Sequence, residues 1–206
     1  MCNLYRMTKN KDEVAKWFDV VNELGGANFG EEVYPGYPGA VVEGARLRQM
    51  SWGFPLVLKG KNGQPLKPKP VNNARTDKLS GFFWRYSFEE RRCIIPVTAW
   101  AEAEGKKGSM TRSWLSRPDA ELFAVAGIWR TSEEWGDVYS MVMTDAAGLA
   151  AEVHTRMPVL LAEDDIATWT GGTPQEAFDL CRPWEGELTL DRTGEPWSGR
   201  GQVGLL

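Results

Sequence analysis

The sequence predicts one α+β domain, residues 1–206, built on curved antiparallel β-sheets with helices at the periphery. Three observations carry that expectation. Strand-like apolar stretches dominate the middle of the chain, helical periodicity is confined to segments near its two ends, and no linker splits the hydrophobic residues into two sets. A chain of 206 residues with 42% hydrophobic and 25% charged residues is long enough for one substantial core.

From Asp12 to Leu24 the apolar residues Val14, Trp17, Phe18, Val21 and Leu24 recur at helical spacing, and Gly25-Gly26 follows as a stop. The stretch Tyr34-Pro35-Gly36-Tyr37-Pro38-Gly39 cannot be helix and is expected to wrap an edge. Strands are expected around 40–50, 91–97, 121–129 and 137–143; the third is continuously apolar, as a fully buried strand should be. A weaker helix is expected near 163–169. Thr173-Pro174-Gln175-Glu176 combines a capping box with proline at the first helical position, predicting a short helix toward Cys181. The tail from about residue 191 is rich in glycine and polar residues and is expected to be loosely held.

Composition narrows the function. The N-terminus lacks the apolar core of a secretory signal and no apolar run approaches the ~20 residues a bilayer requires, so a cytoplasmic protein without a membrane partner is expected. Three scattered cysteines (Cys2, Cys93, Cys181) and one histidine argue against a disulfide framework and against a metal or other cofactor. The net charge of −4 hides two basic stretches. Lys59, Lys61, Lys67, Lys69, Arg75 and Lys78 face the single acid Asp77, and Lys106, Lys107, Arg112 and Arg117 lie in an acid-free run. Both suit a phosphate-bearing partner.

Cys2 carries the chemistry. Removal of Met1 leaves an α-amine and a thiol on one carbon skeleton. An α-amine titrates near ~7.7–8.0 against ~10.4 for lysine, so at neutral pH it is the neutral nucleophile far more often. It can attack an aldehyde to give an imine, on which the thiol closes as a five-membered thiazolidine.

Four ordered elements accompany it: Met1-Cys2, Asn73-Ala74-Arg75, Trp100-Ala101-Glu102 and His154-Thr155-Arg156-Met157-Pro158. With Ser51-Trp52-Gly53-Phe54 and the Pro-Gly loop at 34–39, they span residues 2 to about 185. In these motifs the chain resembles the SOS-response-associated peptidase (SRAP) family of abasic-site processing proteins. The resemblance implies a barrel-like fold and covalent capture of the ring-opened abasic sugar in single-stranded DNA by the processed Cys2. Glu102 would then transfer protons, with Glu104 two residues on as a surface residue, and His154 would hold the sugar hydroxyl and the leaving oxygen. Asn73 would hold the amine or sugar in register, whereas Asn72 would face the other way on an extended segment. Arg75 would bind a flanking phosphate.

Trp52 and Phe54, with Pro55 and Leu56, are expected to form an apolar wedge against bases beside Pro38 of the Pro-Gly loop. Many members follow Cys2 with Gly-Arg-Phe/Tyr; here the run is Asn3-Leu4-Tyr5-Arg6, so Arg6 would have to substitute as the DNA contact. Cys93, in an apolar strand, and Cys181, at a helix end, read as buried or inert thiols. The partner expected is single-stranded DNA carrying abasic sites, with a monomer as the default state. The same residues would also fit an N-terminal-nucleophile hydrolase, and the basic stretches alone a simple single-strand-binding module.

Overall fold

An odd number of strands can close into a ring only if one neighbouring pair runs parallel, and this chain meets that requirement. The computed structural model describes residues 2–26 and 30–197. In chain order its strands are β1 (Tyr5–Arg6), β2 (Val21–Asn22), β3 (Glu32–Val33), β4 (Pro38–Glu43), β5 (Arg46–Trp52), β6 (Phe54–Leu56), β7 (Lys69–Val71) and β8 (Asn73–Arg75). They continue with β9 (Arg92–Val97), β10 (Ala99–Glu104), β11 (Thr111–Ser116), β12 (Phe123–Ser132), β13 (Gly136–Asp145), β14 (Arg156–Pro158), β15 (Leu160–Leu161) and β16 (Thr189–Pro196). The helices are α1 (Lys11–Trp17), α2 (Arg85–Glu90), α3 (Gly148–Val153), α4 (Asp165–Gly171) and α5 (Pro174–Asp179).

Strands β13, β12, β9, β4 and β5 pair antiparallel in that order, and β5 returns to β13 as the parallel pair that closes the barrel. The register sets Val41, Met50, Cys93, Ile95, Val125, Tyr139 and Met141 on one face of this sheet and Leu47, Ile94, Ile128 and Val138 on the other, and all of them are buried. Phe123 to Ile128 are buried without alternation because α2 packs on the outer face of β12. Helix α4 covers β9 and sends the indole of Trp169 to the Cys93 carbonyl at 2.9 Å. A second, wholly antiparallel sheet runs β16-β11-β10-β1-β3. Among the described residues no helix is long and apolar enough to cross a membrane.

The α+β expectation holds, with parallel pairings added to the antiparallel sheets. The span 40–50 is a hairpin of β4 and β5 turning at Gly44, and the capping box at Thr173 forms with Glu176. The helix expected over 12–24 ends at Trp17 instead. Asp19 takes a left-handed φ of 52°, and Val21, 62% exposed, leaves the helix to form β2, where it pairs with Arg46 of β5. The tail beyond 191 is held as far as it is described: β16 pairs with β11 from Thr189 to Pro196, while 198–206 lie outside the described residues.

Candidate active site

Three separate strands bring the motif residues toward the N-terminus. Strand β1 pairs Tyr5 with Trp100, and the amide of Ala101 donates to the Leu4 carbonyl at 2.9 Å, so the chain leading back to Cys2 runs along β10 beside Glu102. Strand β8 docks parallel on β13, with Asn73 opposite Met141 and Arg75 opposite Met143. On the other edge of β13, β14 sets Pro158 opposite that same Met143 and Arg156 opposite Asp145. The Asn-Ala-Arg and His-x-x-Met-Pro elements therefore flank one strand. His154 caps the C-terminus of α3, and Arg192 ties that helix to the Glu102 strand by bonding Glu152 at 3.0 Å and Glu104 at 3.0 Å.

Cys2 is fully buried, and its thiol lies 3.5 Å from the Leu4 carbonyl. The carbonyl oxygen of Cys2 accepts from two side-chain amides, Asn73 Nδ2 at 2.7 Å and Asn72 Nδ2 at 2.9 Å. Asn73 Oδ1 is a buried acceptor with no donor among the described residues. Burial pushes the Cys2 thiol far above its ordinary pKa, and the charge of Glu102 pushes the same way. Glu102 is 2% exposed, and burial raises its carboxyl to about 7, so both protonation states are populated at neutral pH. Glu104, by contrast, is partly exposed and held low by Ser113 and Arg192. Partial burial lowers the pKa of His154 and keeps it neutral. Its Nδ1 accepts from the Arg156 backbone N–H at 2.9 Å, which places the proton of the neutral ring on Nε2.

Several expectations for the DNA-facing residues are corrected. Trp52 is buried, stacks on Tyr139, meets Tyr5 edge-on and donates its indole N–H to the Asn72 carbonyl at 3.0 Å. Phe54 is buried against Phe83 and Trp84 under Arg130, and Pro55 is buried with it. The apolar character that predicted a wedge builds the core. Pro38 is half-buried at the start of β4, paired with Ser51, and next to it Gly39 lets the Tyr5 and Tyr139 hydroxyls approach where any Cβ would collide. Arg6 is consumed by an ion pair with Glu32 at 2.8 Å and by the face of Trp114, 3.7 Å from the ring centroid. Arg112 joins the same network through Glu32 and Tyr34, and Arg117 pairs with Asp119 over Trp184, which leaves Lys106 and Lys107 as the exposed cations of that run. Arg75 is 41% exposed, with its fork closed on Asp77.

Asn72 overturns the assumption of alternation across Asn72-Asn73. The pleat breaks between β7 and β8 at Asn72, so consecutive side chains turn to the same carbonyl. An Asn-Asn doublet at a strand junction was the available signal. The tie through Arg192 lay in the segment expected to be loose. Cys93 is buried, whereas Cys181 is half-buried, bonds the Ala177 carbonyl at 3.6 Å and has its thiol raised to about 12 by burial.

A barrel-and-sheet protein whose second residue is a cysteine gripped by paired amides, beside a buried carboxyl, defines a class organised around its N-terminus. The chain belongs to the SOS response associated peptidase (SRAP) family, whose profile matches residues 1–193. It is 25% identical over 209 aligned residues to the abasic site processing protein YoqW of Bacillus subtilis, covering 91% of this chain and 89% of YoqW. It is 26% identical to the abasic site processing protein YoaM of the same organism over 69% of this chain and 65% of YoaM. In structure it is similar to a Bacteroides thetaiotaomicron protein (TM-score 0.77, 17% identity, covering 93% of this chain and 91% of that one). A Bordetella bronchiseptica protein is similar in the same way (TM-score 0.77, 21% identity, 93% and 99% covered). These two share the fold.

Proposed function

We propose that the protein captures abasic sites in single-stranded DNA by forming a thiazolidine between the processed Cys2 and the ring-opened deoxyribose. The observation that carries this reading is the grip of Asn72 and Asn73 on the Cys2 carbonyl next to a carboxyl that titrates near neutrality. The neutral α-amine attacks the C1′ aldehyde and gives a carbinolamine. Glu102, in its acid form, protonates the departing hydroxyl, water leaves, and the carboxylate takes back the N–H proton of the resulting iminium to give the imine. The thiol sulfur then adds to the imine carbon and its proton passes to the nitrogen, so one water is lost overall. The orphan Asn73 Oδ1 is suited to accept from the amine, and the Nε2–H of His154 to donate to a sugar oxygen.

The DNA strand is assigned to the arm from Phe54 to Val71. It is a hairpin of β6 and β7 extended by a Lys59–Pro65 bridge, free of acidic residues, and carrying Lys59, Lys61, Lys67 and Lys69. Val57, Leu58 and Leu66 are exposed on it, so apolar contact with bases falls to these residues rather than to Trp52 and Phe54. The hydrolase reading would draw on the same thiol with the Cys2 amine as its base, and turnover of a peptide or amide would favour it.

The test is incubation of Met1-processed protein with an oligonucleotide carrying one abasic site, followed by denaturing electrophoresis and intact mass. A denaturant-stable adduct smaller by one water than the sum of its parts is expected, absent with an intact strand and absent in Cys2→Ala. Equal cross-linking by Cys2→Ala would refute the reading.

A further inference from the structure

We propose that Asn72 is a positioning residue for the reactive N-terminus, acting through Cys2 and Asn3 rather than on the substrate; the proposal rests on the capture reading above. The two N–H bonds of its amide have separate partners, the Cys2 carbonyl at 2.9 Å and Asn3 Oδ1 at 3.1 Å. The Cys2 carbonyl in turn has both lone pairs engaged, one by Asn72 and one by Asn73 at 2.7 Å. A carbonyl held by one donor can pivot about that bond. Held by two, with the next side chain also pinned, it fixes the plane of the Cys2–Asn3 peptide and hence the directions in which the Cys2 amine and thiol leave the α-carbon.

Asn72 is itself fixed from behind. Its own carbonyl accepts from Trp52 Nε1 at 3.0 Å and from the Met141 amide at 3.0 Å, and the Ser140 hydroxyl donates to the preceding carbonyl of Val71 at 2.7 Å. Trp52 is wedged between Tyr5 and Tyr139 in the core. The barrel thus reaches Cys2 through Asn72, whose backbone is held by one indole N–H and one amide, as well as through Asn73. Ring closure to a thiazolidine needs both nucleophiles of Cys2 aimed at the same carbon, which is the step that fixed orientation accelerates.

The test uses Asn72→Asp, isosteric but with an oxygen in place of the donor, and Asn72→Leu, which removes the donors without adding charge. Amide hydrogen exchange at Ala101, whose N–H donates to the Leu4 carbonyl, is measured by NMR without DNA. Adduct formation is timed at saturating abasic single strand, and the Kd for an intact strand is determined. Exchange about tenfold faster and adduct formation about three- to tenfold slower are expected in both variants, with Kd unchanged, as for loss of one hydrogen bond. Trp52→Phe, which keeps the ring and loses the N–H, should move the same readouts in the same direction. Unchanged exchange in Asn72→Leu overturns the proposal, and so does a slowing that resides wholly in Kd, which would make Asn72 a DNA contact. Should Asn72→Asp fold poorly, Asn72→Leu decides. A wild-type protein that forms no adduct refutes the capture reading, while the exchange measurement still decides the role of Asn72.

Discussion

Arg75 and Asp77 form a two-pronged ion pair, Nε to Oδ1 at 2.9 Å and Nη2 to Oδ2 at 2.7 Å, at the end of the strand that carries Asn73. Asp77 is held below its ordinary pKa by its hydrogen bonds from Arg75 and by the charges of Arg156 and Lys78. A phosphate arriving at Arg75 must compete with this carboxylate. Asp77→Asn should therefore tighten single-strand binding several-fold and steepen its salt dependence by up to about one phosphate contact, whereas Arg75→Ala should lower both. Salt titrations of Kd by fluorescence anisotropy check the pair; identical slopes in all three proteins would leave Arg75 as a surface ion pair only.

The carboxyl of Glu102 sets a pH dependence of capture. Its acid form declines as pH rises through about 7, while the neutral α-amine increases toward about 8. The rate should peak between these values, and Glu102→Gln should lower the maximum by about 10²-fold and flatten the alkaline limb. A single-turnover pH profile of both proteins measures this.

The same carboxyl affects stability. Its folded pKa lies above the unfolded value, so between about pH 4.5 and 7 the folded state binds more protons and stability falls as pH rises. Glu102→Gln should remove that decline and gain on the order of 2–3 kcal/mol at pH 8 relative to pH 4. Urea unfolding at the two pH values reports it.

Phe54→Ala should lose about 3–5 kcal/mol of stability through the cavity left under Arg130 and beside Trp84. The residual folded protein should bind DNA with unchanged affinity. A loss of affinity at full stability would restore Phe54 to the interface.

Protein retaining Met1 should not cross-link, because acylation delocalises the Cys2 nitrogen lone pair into the carbonyl. Met1 lies outside the described residues. A mass-verified Met1-containing sample should gain activity when digested with an aminopeptidase while unfolded and then refolded. Cross-linking by the undigested sample would mean that the thiol acts without the amine.

Cys2, Asn73, Glu102 and His154 could be singled out from the sequence because each sits in a short motif with its own chemistry, and the capping box at Thr173 was legible because its signal is local. Trp52, Phe54 and Arg6 misled for one reason. Aromatic and basic types suit both a DNA surface and a core or ion-pair network, and the deciding partners, Tyr139, Trp84 and Glu32, lie far away in sequence. Asn72 and Arg192 were invisible because their roles depend on a break in the pleat and on a strand pairing formed by the last described residues.

The single parallel pair that closes the barrel joins Ser51 and Trp52 to Val138 and Tyr139, and β8 docks on the same strand directly beyond it. During synthesis, the strand that seats Asn73 has nothing to dock on until the chain has grown past Met143. For roughly the first two-thirds of translation the Cys2 carbonyl therefore lacks the seated amides of Asn72 and Asn73, and the grip on the N-terminal segment is among the last features of the fold to form.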